Sequence, residues 1–86
     1  MSPNHKKAFA ALQRMGVPVY SKPDEKYDTF HISTEEETSH LWADWYGNRH
    51  DWDGDSINPE IKKVLKSFEL HAEWDNPSTL RVWHND

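Results

Sequence analysis

Apolar residues recur along this chain at two spacings, and the change from one spacing to the other marks its elements. Near the start, Ala8, Phe9, Ala11, Leu12 and Met15 return every three or four residues, which places them on one side of a helix. Ser2 offers an N-cap oxygen, and Pro3 takes the first helical position, where its missing N–H costs nothing. Gly16 before Val17-Pro18 ends the pattern, so a helix is expected over Pro3–Met15. Val17–Tyr20 then reads as a short strand whose proline, unable to donate to a ladder, stands at a sheet edge or at the start of the strand. Ser21–Asp28 is a polar loop, and Thr29–Ser33 is a second strand with Phe30 and Ile32 on one face.

The middle of the chain reads as helix again. Ser33-Thr34 followed by Glu35, Glu36 and Glu37 gives the capping box in two registers, with acids at the positive end of the helix dipole. A helix is expected over Glu35–Tyr46, with Thr38, Leu41, Trp42 and Trp45 toward the core and Glu36, His40 and Asp44 opposite. Asn58-Pro59 repeats the cap-then-proline start, and Ile61, Val64, Leu65 and Phe68 follow at helical spacing. That predicts a short helix over Pro59–Ser67 with Lys62, Lys63 and Lys66 toward solvent.

Beyond it the spacing switches to two. Phe68, Leu70, Ala72 and Trp74 alternate with Glu69, His71 and Glu73, and after Asp75–Ser78 comes a second alternation in Thr79–His84. Residues paired across a hairpin share a face, so an unbroken register demands a loop of three or five residues. The five-residue loop sets Glu73 opposite Arg81 and His71 opposite Trp83. The expected class is α+β in the order α-β-β-α-α-β-β, a small antiparallel sheet of two hairpins with the helices on one face.

Length changes this picture only by confining it to one domain. The 86 residues suffice for a single small core, and with no cysteine there is no disulfide or thiolate metal site to reinforce it. Aromatic residues, 13% of the chain, must supply much of the burial. Fifteen acids against ten bases give a net charge of −5, which argues against a protein held directly on nucleic acid by phosphate contacts. The six histidines could move that balance to +1 if all were protonated. No apolar run is long enough for a signal peptide or a membrane span, so a cytoplasmic protein without membrane contact is expected.

Few constellations suggest chemistry. Asp51-Trp-Asp-Gly-Asp-Ser-Ile-Asn-Pro-Glu60 resembles the calcium loop of EF-hands and dockerins, but neither register closes. With Asp51 first, Ser56 replaces the glycine and no acid stands at position 12; with Gly54 at position 6, Arg49 falls at position 1. The plain reading is a turn that precedes the last helix. His40 and Asp44, four apart, could share a metal with His50 and Asp51, though such pairs on a polar helix face are commonly solvated. No nucleophile elbow or phosphate-cradling glycine loop occurs. No enzyme activity, cofactor or bound metal is therefore expected. Trp83 on the outer sheet face and Lys62, Lys63 and Lys66 could serve single-stranded nucleic acid, but Glu69 and Glu73 would repel it. Trp42, Trp45 and Trp74 take core-facing positions, whereas periodicity buries neither Trp52 nor Trp83; an exposed tryptophan beside acids is what a binding hot spot looks like, and folding back to patch the small core is the equal alternative.

The stretches W-A-D-W-Y-G at Trp42–Gly47, I-N-P-E-I-K-K-V-L at Ile57–Leu65, A-E-W-D-N-P at Ala72–Pro77 and L-R-V-W at Leu80–Trp83 resemble small acidic proteins encoded by bacteriophages and prophages. The resemblance covers about the last half of the chain and brings no catalytic residues. It implies a setting in which short acidic proteins bind host or phage macromolecules, including inhibitors of restriction or CRISPR systems that imitate the charge of DNA. The expected function is a non-catalytic binding protein with a protein partner. Its expected surface is acidic and aromatic: Glu35, Glu36, Asp51, Trp52, Asp53, Asp55 and Trp83. The competing expectation is metal binding by the Asp51–Asp55 loop.

Overall fold

A computed structural model describes residues 2–21, 29–35, 41–45, 52 and 55–85. Its elements are α1 (Pro3–Met15), β1 (Val19–Tyr20), β2 (His31–Ser33), α2 (Pro59–Ser67), β3 (Leu70–Asn76) and β4 (Thr79–His84). Both helices begin and end as their cap residues dictate. The Ser2 hydroxyl accepts from the His5 amide, and the Asn58 side chain accepts from the Glu60 amide. Gly16 closes α1 at φ 90°, which lets its amide and that of Val17 return to the Gln13 and Leu12 carbonyls. Glu69, just past α2, also has positive φ, 61°, where a side chain is disfavoured. This residue turns the chain from helix into β3 without a glycine.

The strands form one antiparallel sheet in the order β1-β2-β4-β3, with β4 bonded on both sides. Val19, Ile32, Leu80 and Trp74 lie in one row across it, and Tyr20, His31, Arg81 and Glu73 in the next. The first row belongs to the face under the helices, where Ala8 and Leu12 of α1 and Ile61 and Leu65 of α2 close over Phe30, Ile32, Leu70, Leu80 and Val82. Burying these side chains contributes roughly 1.5–3 kcal/mol each before entropy is counted.

Glu73 faces Arg81 and His71 faces Trp83, as the alternation requires, but the turn is shorter than the expected three or five residues. Trp74 pairs with Leu80 and Asn76 with Thr79, so Asp75 is a bulged extra residue and only Pro77 and Ser78 cross over. A bulge changes the parity that an unbroken ladder would impose. It also alters the ion pairing: Arg81 bonds Asp75 at 3.3 Å, while Glu73 meets His71 at 3.1 Å.

The expected helix over Glu35–Tyr46 is not what residues 41–45 form; Glu36–His40 and Tyr46 lie outside the described residues. Ala43 makes an antiparallel bridge to Ile57. The Asp44 amide donates to the Ser56 carbonyl at 2.8 Å, and the Asn58 amide to the Trp42 carbonyl at 2.8 Å. The segment is an irregular strip, with turns on either side of one bridge residue, laid along residues 56–58, so among the described residues the order is α-β-β-α-β-β.

Candidate functional site

The strip is held by a single residue doing three jobs. Asn58 caps α2 through its Oδ1, bonds Trp42 through its backbone amide, and donates its Nδ2 to the Leu41 carbonyl at 2.9 Å. At the bridge the small Ala43 side chain is buried, 5% exposed, whereas Leu41 and Trp45, which a regular strand would turn the same way, are exposed because the backbone turns on either side of it. Leu41 is 45% and Trp45 43% exposed, so the core-facing role expected of both is corrected. They are the exposed large apolar side chains among the described residues. Trp45 meets Trp74 edge to face at 5.2 Å, and the Trp74 indole donates to Ser56 Oγ at 2.8 Å. A ring fixed in this way loses little freedom on binding.

Trp52 takes the opposite course to the one expected. It is only 4% exposed and serves as a core residue, because a small core gains from folding a large ring inward. Its carbonyl accepts from the Asp55 amide at 2.9 Å. Asp55 is half-buried and committed to local structure: its Oδ1 accepts from the Ile57 amide at 3.2 Å, and Oδ2 pairs with the Lys62 ammonium. Asp51, Asp53 and Glu36 lie outside the described residues. Glu35 is exposed just after β2, its amide bonded to Ser33 Oγ at 3.3 Å. Trp83 is half-buried on the outer face of β4, with the Arg81 guanidinium over its ring at 5.4 Å. The four expected positions that are described, Glu35, Trp52, Asp55 and Trp83, lie on separate elements, whereas Leu41, Asp44 and Trp45, which helical spacing had divided between two faces, lie together along residues 56–58.

Burial acts to raise the Asp55 carboxyl's pKa, but the bonds from Lys62 and from the Ile57 and Ser56 amides outweigh it and hold it below the ordinary 3.8. A carboxylate with a depressed folded pKa stabilises the fold above its unfolded pKa, and that stability is lost as pH falls through the folded value. Asp55→Asn is expected to cost about 0–1 kcal/mol at neutral pH, as for a solvent-screened pair. Thermal melts of both proteins should converge as pH drops below about 4; a gap that stays constant to pH 3 would show that the charge of Asp55 contributes nothing.

Among the described residues no group of three or more histidines and acids is placed to hold a metal, and no helix is long and apolar enough to cross a membrane. The candidate ligands His40, His50, Asp51 and Asp53 are outside those residues. No protein-family model, no curated protein and no solved structure matches the chain.

Proposed function

We propose that the chain is a non-catalytic binding protein of the phage type, which engages a protein partner through the surface built from Leu41, Asp44 and Trp45. The observation that carries this reading is the Leu41–Trp45 strip with its two exposed apolar side chains, fastened by Asn58 and with Trp45 edge to face against Trp74. Interfaces draw their energy from a few anchored aromatic side chains, and a pre-ordered tryptophan flanked by acids has that character. The net charge of −5 supports a basic partner surface, since complementary charge speeds and orients encounter. Nucleic-acid-binding and defence proteins present such surfaces.

Trp45→Ala should weaken a purified partner complex by about 2 kcal/mol or more, roughly thirtyfold in Kd. The free protein should lose only about 0.5–1.5 kcal/mol, the worth of the edge-to-face contact with Trp74. Calorimetric titration of wild type and variant, with melting curves as the check on folding, separates the two effects. Undiminished affinity in folded Trp45→Ala and Leu41→Ala proteins would remove the strip from the interface.

A further inference from the structure

A second feature is the β3 edge of the sheet, which among the described residues has no further strand and at its Trp74 end adjoins the Trp45 contact. β3 is the terminal strand of the order β1-β2-β4-β3 and, at seven residues, the longest. Its register decides which backbone groups look outward. The Asn85 amide bonds the Glu69 carbonyl at 2.9 Å, so with the pairing of His71 with Trp83 and Glu73 with Arg81 the odd-numbered residues point into the β4 ladder. Leu70, Ala72 and Trp74 therefore turn their N–H and C=O groups away from β4. The Leu70 carbonyl receives the Asn85 side chain at 3.3 Å. Among the described residues no hydrogen bond reaches the outward backbone of Ala72 or Trp74.

Beside this edge lies a cleft of about 350 Å³ lined by Lys62, Lys66, Leu70, His71, Ala72 and Asn85. Leu70 and Ala72 give it apolar walls, and Lys62 and Lys66 stand on successive turns of α2, with no carboxylate in the lining; Lys62 is already paired with Asp55, so Lys66 is the charge offered to a ligand. We infer that the edge of β3 binds an extended acidic peptide by strand addition, with Lys66 receiving a carboxylate. The open amides and carbonyls supply register, and alternate side chains of the added strand enter the cleft or meet Lys66. A second copy is the poorer occupant. Antiparallel self-pairing about Ala72 would bring the same lysines of both copies together, and edge lysines are a common defence against that pairing.

The test uses the full chain, labelled with nitrogen-15, and two short acetylated peptides, one alternating valine with glutamate and the other valine with lysine. The glutamate peptide should bind, shift the Ala72 and Trp74 amide signals and slow their hydrogen exchange, while the lysine peptide leaves them unchanged. Lys66→Glu should weaken the glutamate peptide by about tenfold. Ala72→Pro should abolish binding yet keep the β4 ladder, because the lost N–H is one that faces outward; intact amide spectra of both variants establish folding. Absence of binding by the glutamate peptide, equal binding of both peptides, or affinity undiminished in Lys66→Glu would overturn the proposal. So would dimers that protect the Ala72 and Trp74 amides without any peptide.

Discussion

Phe30→Ala is expected to lower the unfolding free energy by about 3–5 kcal/mol, the range for removing a fully buried aromatic ring. Phe30 is 0% exposed and sits where α1 meets the sheet, its ring edge-on to Phe9 at 5.3 Å and to His5 at 6.0 Å. Its carbonyl also accepts from the Val82 amide at 3.1 Å, so the residue is fixed by backbone as well as by packing. Small domains have roughly 5–15 kcal/mol in total, and one of this length without disulfides belongs at the low end. The variant should therefore be partly unfolded at room temperature. Urea unfolding followed by circular dichroism measures the change, and a loss below about 1 kcal/mol would show that the core does not close over this ring.

The second large effect is expected at His5. Val82 belongs to β4, but its carbonyl points to where β2 has not yet begun, so no strand amide can reach it. Two side chains take that place: Thr29 donates its hydroxyl, and His5 Nε2 lies 3.2 Å from the same oxygen. At the other side of the ring, Ser2 Oγ is 2.7 Å from Nδ1, and because the Val82 carbonyl can only accept, Nε2 is the donor to it. His84 closes the group edge-on at 4.5 Å. His5→Ala removes the ring and one donor and should cost about 2–3 kcal/mol. Thr29→Val removes the other donor and keeps the shape. The two together should cost more than the sum of the separate losses by about 0.5–3 kcal/mol, since only the double variant leaves the buried carbonyl without a partner. Additive losses in a double-mutant cycle would mean that the two donors do not share it.

Much of this architecture was legible in the chain. Pro3–Met15, Pro59–Ser67 and Thr79–His84 have the expected bounds because caps and periodicity are local signals that agree with one another. The turn between β3 and β4 was less legible, since a bulge at Asp75 leaves no mark in the alternation before it. Residues 41–45 were misread for a physical reason. Leu41, Trp42 and Trp45 have helical spacing, but the bonds that decide the segment's conformation come from Ser56 and Asn58, twelve to seventeen positions later. The same distant contacts reversed the exposure of Leu41 and Trp45 relative to the core and made them the candidate surface. Trp52 was missed in the opposite sense, for acidic neighbours say nothing about a cavity elsewhere in the fold that can accept an indole.

The strand order has one more consequence, which concerns time rather than energy. β4 is the last strand in the chain, yet it occupies an interior position and supplies the bonding edge for both β2 and β3. During synthesis α1, β1, β2, α2 and β3 all emerge before the strand that joins them. The core contacts of Leu80 and Val82 span most of the chain, so loop closure must precede their reward. Folding of these elements therefore waits until Thr79–His84 has emerged. A ribosome stalled before Thr79 would hold a chain with an exposed half-sheet and an unfilled core, a substrate for chaperones or proteases rather than a partly working protein.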